Sequence, residues 1–198
     1  MKWWWMGIYF GGLVWSGVEP RDRFTWLLEV IPALVGGLVL LVTRRSFPLT
    51  PLTYGLILAH CIILMVGGHY TYAEVPLFNW LKDVFHLARN NYDKLGHLAQ
   101  GFVPAIIARE LLIRNRVVNG AGWRNFFIVC FCLALSALYE LIEWGVAVGT
   151  GSGADAFLGT QGYLWDTQSD MAMALIGSLT ALVMLRRIHD RQLDEFTG

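Results

Sequence analysis

The chain has 198 residues, of which 56% are hydrophobic and only 15% are charged, and its formal net charge is zero. Soluble domains carry about 25% charged residues, so this composition excludes an ordinary soluble domain and indicates a membrane protein. The zero net charge gives no indication of nucleic acid as a partner. The length allows one domain, and we predict a single integral membrane domain over residues 1–198, with its functional core at about 93–177.

Stretches with few or no charges follow one another along the chain, each near the ~20 residues that an α-helix needs to cross the hydrocarbon core. The six stretches are Trp3–Val18, Phe24–Thr43, Thr50–Gly68, His97–Leu112, Phe126–Gly149 and Met171–Leu185. The first resembles a signal peptide, but Glu19-Pro20-Arg21 is not a small-residue cleavage site, so we interpret it as a spanning helix. The predicted fold class is all-α and polytopic, with about six transmembrane helices.

The segment Tyr70–Tyr92, between the third and fourth stretches, is too long for a simple turn. Its apolar residues share one helical face, at Leu77, Phe78, Leu81, Val84, Phe85 and Ala88. Pro76 suits the first position of a helix. We therefore predict an extracytoplasmic amphipathic helix, which lies in the membrane interface or caps the helix bundle.

Basic residues set the predicted orientation. The side that holds both termini carries nine of them, Lys2, Arg44, Arg45, Arg114, Arg116, Arg124, Arg186, Arg187 and Arg191. The other side carries five, Arg21, Arg23, Lys82, Arg89 and Lys94. Because loops rich in Lys and Arg stay in the cytoplasm, we predict that both termini are cytoplasmic.

This topology makes a direct prediction for reporter fusions. We expect a reporter fused after Gly198 to behave as cytoplasmic, and one inserted near Ser152 as extracytoplasmic. Enzymatic assay of the two fusions measures the orientation. The reverse pattern would place the polar residues described next in the cytoplasm and would remove an envelope substrate from consideration.

Polar residues at same-face helical spacing gather at the predicted extracytoplasmic ends of three helices. They are Asp93, His97 and Gln100 in the fourth helix, Ser136, Glu140 and Glu143 in the fifth, and Asp166 and Asp170 in the sixth. Ionisable groups within spanning helices are costly and mark functional sites. Glu29, in the outer part of the second helix, is a weaker candidate.

Neighbouring carboxylates in a low dielectric need a cation, a proton or a basic side chain between them, which leaves three interpretations open. The first is a divalent metal bound by Asp93, His97, Glu140, Asp166 and Asp170. The second is a shared proton, with Lys94, Arg89 or His69 as partners, which gives a proton relay or an acid/base site. In the acid/base site the catalytic residues are Asp93, His97, Glu140 and Glu143. The third is a structural network that holds the helices together without chemistry.

The polar runs Gly159–Gly162 and Trp165–Asp170 are unlike a random loop, and their glycines permit close backbone approach to a ligand. We assign substrate contacts to Gln100, Gln161, Gln168, His69 and Trp165. At the predicted cytoplasmic end we expect Arg109 to extend to the membrane surface. We expect Glu110 to pair with Arg114, four residues further on.

The order of these motifs resembles the YjdF-like family of bacterial inner-membrane proteins, whose function is unknown. The matching segments are His69–Tyr72, Tyr92–Phe102, Tyr139–Trp144, Gly159–Gly162 and Trp165–Met171. More remotely, Asp93-Lys94 with His97, then Glu140, then Asp166, Asp170 and Gly177, is similar to VanZ-like membrane proteins. Those proteins are associated with teicoplanin resistance, which implies action near cell-wall precursors. Ala174 and Glu143 depart from the VanZ-like pattern, which has Asn and Gln there.

The leading hypothesis is a bacterial inner-membrane protein with a periplasm-facing polar pocket that binds or modifies a phosphate- or sugar-bearing envelope substrate. A divalent metal is its candidate cofactor, and membrane lipids and a lipid-linked envelope precursor are its candidate partners. Two alternatives stay open, a small transporter or proton-coupled channel, and a non-catalytic membrane assembly protein. Whether the protein is an enzyme is open at this stage.

Overall fold

The computed structural model describes residues 3–151 and 155–197, and it is helical throughout, with no strand in that part of the chain. The helices are α1 (Trp3–Gly17), α2 (Arg23–Thr43), α3 (Pro51–Tyr70), α4 (Pro76–Val84), α5 (Tyr92–Arg114), α6 (Ala121–Thr150), α7 (Asp155–Leu158), α8 (Asp166–Met184) and α9 (Arg186–Thr197). A 3₁₀ turn over Tyr72–Glu74 precedes α4. The predicted all-α class is confirmed. Ser152 and Gly198, the positions chosen for reporters, lie outside the described residues.

Three helices, α2, α3 and α6, are long and apolar enough to cross a membrane. Helices α8 and α9 meet the same criterion as a pair, but they are bent by 63° at the break between them. Helix α1 has 15 residues, and α5 carries charged residues near both ends. The structure therefore supports a membrane protein with several apolar helices, while the number six stays a prediction.

The helices begin where local sequence signals place them. Asp22 precedes α2, and its Oδ1 accepts a hydrogen bond of 2.6 Å from the backbone N–H of Thr25. That bond lowers the pKa of the Asp22 carboxyl. Thr50 caps α3 in the same way, with Pro51 in the first turn. Both caps satisfy backbone donors that a helix start leaves free.

Aromatic residues with polar atoms join α1, α2 and α3. The indole N–H of Trp5 donates to the carbonyl of Tyr54 at 2.8 Å, and the hydroxyl of Tyr9 donates to the carbonyl of Ala33 at 2.9 Å. Both side chains are buried. Their apolar rings fill the space between the helices while each polar atom keeps a partner. These contacts hold α1 against α2 and α3.

Helices α5 and α8 approach each other backbone to backbone. A Cβ atom added to Gly101 would overlap the carbonyl oxygen of Ala174, and one added to Gly177 would overlap the carbonyl oxygen of Leu98. Small residues allow such close helix contacts in membranes. The contact sets the acidic start of α8 beside the first turns of α5, and it thereby builds the site described below.

The amphipathic helix is shorter than its apolar pattern predicts. It ends at Val84 rather than continuing to Ala88, because His86 adopts a left-handed φ of 52°. The backbone N–H of Leu87 then donates to the carbonyl of Lys82 at 2.9 Å, which closes the end of the helix. Pro76 occupies the first turn as predicted. The early end lets the chain turn back toward α5.

A buried polar network lies at the opposite end of the bundle, and it corrects one expectation. Arg109 does not extend to the membrane surface; it is only 2% exposed. Its guanidinium donates to His189 Nδ1 at 3.0 Å and to Asp190 Oδ1 at 2.5 Å. The reason is α9, a helix that was not predicted from the sequence and whose His189 and Asp190 contact Arg109.

Glu110 is the centre of that network. Its Oε1 accepts from Arg114 at 2.9 Å, so the predicted pair is confirmed. It also accepts from the backbone N–H of Thr50 and from the hydroxyls of Thr50 and Thr53, at 2.9, 2.9 and 2.6 Å, and His189 Nε2 lies 3.3 Å from its Oε2. Because a buried carboxylate is tolerated only with such partners, this network fastens α3, α5 and α9 together.

Candidate functional site

Residues from four segments meet at the end of the bundle opposite the Glu110 network, which we call the polar end. The polar cluster there comprises Arg89, Asp93, Lys94, His97, Glu140, Asp166 and Asp170. Arg89 comes from the turn before α5, the next three from the first turns of α5, Glu140 from α6 and the two aspartates from the start of α8. Apart from Lys94, which is half-buried, all are buried. The cluster exists because Gly101 and Gly177 let α5 and α8 touch.

The two cations of the polar cluster are already engaged by its carboxylates. Lys94 Nζ donates to Asp166 Oδ1 at 2.7 Å and to Asp170 Oδ1 at 2.6 Å. Arg89 donates to Asp166 Oδ1 as well, and its Nη2 lies 3.4 Å from Asp93 Oδ2. The ring of Tyr163 lies over both cations, at 5.6 and 5.7 Å. Both cations are therefore paired within the cluster, and Nε of Arg89 is the buried donor that is left without a partner.

Three carboxylate oxygens lie around His97 within ion-pair distance but beyond hydrogen-bond distance. Its Nε2 lies 3.5 Å from Asp93 Oδ1, 3.7 Å from Glu140 Oε1 and 3.9 Å from Asp170 Oδ1. These distances exceed those of N–H···O hydrogen bonds, about 2.7–3.2 Å. Glu140 Oε1 and His97 Nδ1 are both buried without a hydrogen-bond partner in the described part of the chain. Such unpaired polar atoms are costly and call for an explanation.

The spacing of these atoms suits a divalent cation. Ligands about 2.1 Å from an ion at tetrahedral angles lie about 3.4 Å from one another, close to the distances around His97 Nε2. Asp93, His97 and Asp170 offer ligand atoms that lie within 4.8 Å of one another. One imidazole with carboxylate oxygens is a donor set for Mn²⁺ or Zn²⁺.

Charge favours the same conclusion. The polar cluster contains the four carboxyl groups of Asp93, Glu140, Asp166 and Asp170, against the two cations Arg89 and Lys94 and the imidazole of His97. Like charges in a low dielectric disfavour one another unless protons or further cations compensate them. A divalent ion beside His97 would supply the compensation that Arg89 and Lys94 leave incomplete.

A cavity of about 240 Å³ opens next to the polar cluster, between α2, α3, α5 and α6. Its polar lining residues are Glu29, His60, Tyr72, Asp93, His97, Gln100, Tyr139 and Glu143. Its remaining wall is apolar and includes Pro32, Leu64, Leu135, Leu138 and Ile142. The combination of an apolar wall with a few convergent polar groups is typical of ligand-binding sites.

Most of the residues that the sequence pattern assigned to the site do converge. Asp93, His97, Glu140, Asp166 and Asp170 lie in the polar cluster, although Asp166 is paired with Arg89 and Lys94, and Asp170 with Lys94. Gln100 and Glu143 line the cavity instead. The two acidic residues of α6 thus lie in different places, Glu140 in the polar cluster and Glu143 in the wall of the cavity. The roles assigned to all seven residues stay predictions.

Four proposed substrate contacts do not reach the cavity. His69 Nδ1 lies 3.1 Å from the carbonyl of Ser16, and its ring packs against Trp15 with centroids 4.6 Å apart, so it joins α3 to α1. Gln161 exchanges hydrogen bonds with the backbone of Asn90, at 3.0 and 2.9 Å. Gln168 and Trp165 are exposed outside the cavity.

The structure adds residues that sequence reasoning did not connect to the site. Tyr139 donates to Glu29 Oε2 at 3.2 Å and thereby joins α6 to α2 across the cavity. Glu29 was visible as an acidic residue in an apolar helix, but nothing in the sequence paired it with α6. Arg89 was visible only as a loop cation, and Asn90 was not singled out. Asn90 is buried, and its side-chain amide donates to the carbonyl of Val75 at 3.1 Å and to Oδ1 of Asn79 at 2.8 Å.

Comparison with known proteins identifies a family. The model of the family DUF2238, described as a predicted membrane protein, matches residues 1–191. Inner membrane protein YjdF of Escherichia coli (strain K12) is 53% identical over 184 residues, which cover 93% of this chain and 88% of that protein. No solved structure matches the chain. The predicted resemblance to YjdF-like proteins is confirmed, whereas the remote one to VanZ-like proteins stays a prediction.

Proposed function

Since the chain belongs to the DUF2238 family of predicted membrane proteins, we propose that it is an inner-membrane protein whose cavity binds, or binds and modifies, an envelope substrate bearing phosphate or sugar. In this proposal a divalent cation lies between Asp93, His97, Glu140 and Asp170. Both termini are cytoplasmic, so that the polar end faces the periplasm.

The observation that carries the proposal is the environment of His97 Nε2. Three carboxylate oxygens lie 3.5–3.9 Å from this atom, and one of them, Glu140 Oε1, has no hydrogen-bond partner in the described residues. The carboxylate of Glu110 at the opposite end is, by contrast, fully paired. The polar cluster is instead incomplete.

Each group then has a distinct task. Asp93, His97, Glu140 and Asp170 would hold the cation, which would balance the excess of carboxylates and supply a Lewis acid for an oxygen of the substrate. Lys94 and Arg89 hold Asp166 and Asp170 in place and orient the start of α8. Glu143 and Gln100, on the cavity wall, accept hydrogen bonds from substrate hydroxyl groups. Any modification uses Glu143, which is not a ligand of the cation, as the proton acceptor.

The transporter alternative lacks support in the packing between the two ends of the bundle. Ile106, Ile128, Cys132 and Ala181 are fully buried there and form one apolar cluster. A continuous polar path would have to pass through that cluster, and an unpaired charge in such surroundings is costly. The cavity therefore serves ligand binding at one end of the bundle rather than conduction.

Elemental analysis of the purified protein, together with mass spectrometry of its bound lipids, tests the proposal. After dialysis against Mn²⁺ or Zn²⁺ we expect roughly one ion per wild-type chain, and a loss of most of it in His97→Gln and Asp170→Asn. Asp83→Asn, which removes an exposed carboxylate on α4, is the matched control and should retain the ion. A wild-type protein that binds no more metal than His97→Gln would refute the metal-assisted site.

A further inference from the structure

We propose that the substrate is a lipid whose head group carries a primary ammonium group, and that this lipid enters the cavity sideways from the bilayer, between α2 and α6. This inference rests on the proposed function and specifies its substrate class. The ammonium group lies between Glu29 and Glu143, and the acyl chains extend past Leu138 and Ile142 into the membrane.

The charge of the cavity wall determines the head group. Glu29, Asp93 and Glu143 line the cavity, and none of the described lining residues is Lys or Arg. The nearby cations Arg89 and Lys94 are engaged by Asp93, Asp166 and Asp170. A ligand must therefore bring its own positive charge or hydrogen-bond donors. An ammonium group brings both, with three donors around one charge.

Unused acceptors lie where such a group would reach them. Glu143 has no hydrogen bond or ion pair within residues 3–151 and 155–197, and Glu29 accepts from Tyr139 at 3.2 Å, with the hydroxyl of Tyr72 as a second neighbour. Gln100 Oε1 is buried without a partner. Nδ1 of His97, a residue only 5% exposed, is also buried without a partner, and with a cation on Nε2 it carries the proton and can donate to a phosphate oxygen of the lipid. All four side chains belong to the cavity wall. Buried acceptors without donors are costly, and an ammonium group would satisfy them.

The packing of the helices determines the route. Helices α2 and α6 both line the cavity but make few direct contacts with each other. At the polar end the gap between them is covered by α7, which contacts both helices and whose Phe157 is 3% exposed. Further along α6, Leu138 and Ile142 line the cavity and are also 53% and 46% exposed on the outer surface. The apolar wall is thus continuous with the surface that faces lipid.

The bond between Tyr139 and Glu29 crosses this gap and lies at the position of the head group. A lipid that enters there would exchange the tyrosine hydroxyl for its own ammonium donors on Glu29. Its phosphate would then lie on the side of the polar cluster, within reach of a cation beside His97. A water-soluble ligand has no need of the apolar, membrane-facing wall.

Native mass spectrometry of the full-length protein in detergent tests both the ammonium head group and the lateral route of entry. The ligands are dioleoylphosphatidylethanolamine, the same lipid N-acetylated to remove its charge, and soluble phosphoethanolamine. We expect the amine lipid to bind at least about tenfold more tightly than its acetylated form, because a charge-assisted hydrogen bond is lost. Soluble phosphoethanolamine should bind far more weakly than the lipid.

Two pairs of variants locate the interaction. Glu143→Gln should abolish the preference for the amine lipid, whereas Asp83→Asn should keep it. Leu138→Trp should weaken binding of the amine lipid several-fold by narrowing the gap. Leu141→Trp is the control, since Leu141 is an equally exposed residue of α6 that does not line the cavity.

The outcomes separate this inference from the proposed function. Equal binding of the two lipids, with metal bound at His97, would overturn the ammonium head group and leave the proposed function intact. Equal effects of Leu138→Trp and Leu141→Trp, or equal binding of lipid and soluble phosphoethanolamine, would overturn the lateral route. Absence of lipid binding together with absence of metal would refute both.

Discussion

Replacing Lys94 by methionine should lower the free energy of unfolding by about 3–5 kcal/mol, because it leaves the buried carboxylate of Asp170 without its basic partner. Lys94 Nζ lies within 2.7 Å of both Asp166 and Asp170, and its side chain is 14% exposed. Methionine keeps most of the length of the side chain and removes the charge and its hydrogen bonds. Equilibrium unfolding by SDS in mixed detergent micelles measures the change.

The matched control for this variant is Lys82→Met. Lys82 pairs with Asp83 at 4.0 Å on the exposed face of α4, and such surface pairs contribute about 0–1 kcal/mol. Adding Asp170→Asn to Lys94→Met should recover part of the lost stability, since the uncompensated charge disappears, whereas Asp166 keeps Arg89 as its partner. A Lys94→Met protein as stable as Lys82→Met would show that the carboxyl groups do not depend on Lys94.

Gly101→Ala should destabilise the protein by about 3 kcal/mol or more, at or above the upper end of the range for overpacking. The new methyl group would overlap the carbonyl oxygen of Ala174, and a backbone atom cannot rotate away as a side chain can. The substitution must push α5 away from α8. Because the polar cluster bridges these two helices, its metal content should fall together with the stability.

Gly145→Ala on α6 is the control for Gly101→Ala, because no atom outside its own helix turn lies near the added methyl group. Alanine is favoured over glycine within a helix by roughly 0.5–1 kcal/mol, so this variant should be neutral or stabilised. Equal stability of the two alanine variants in the SDS assay would contradict the close packing of α5 on α8.

Local patterns in the sequence predicted most of the fold. Each of the six apolar stretches corresponds to a helix in the structure, because runs of apolar residues and their caps are local properties. The convergence of Asp93, His97 and Asp170 was predictable for the same reason, since helical spacing and the alternation of helix direction place them at one end. Helix α9 was not predictable, because its sequence is polar and its contacts with Arg109 and Glu110 join residues distant in the chain.

The inner details of the site depend on helix rotation, which the sequence pattern does not specify. His69 lies at the same end as the polar cluster, but α3 turns it toward α1. Glu140 and Glu143 share a helical face, yet one approaches His97 and the other lines the cavity. Tertiary packing also determines that Asp166 forms ion pairs with Lys94 and Arg89 rather than binding a ligand.

The most direct test of the central claim, that the polar cluster is one metal-holding site, is a double-mutant cycle between Glu140→Gln and Asp170→Asn, measured with and without Mn²⁺. The proposal predicts a coupling of about 0.5–3 kcal/mol in unfolding free energy that increases when Mn²⁺ is present, because one ion binds both carboxyl groups. Additive effects in both conditions, or a coupling that Mn²⁺ leaves unchanged, would contradict the site and identify the cluster as helix packing alone.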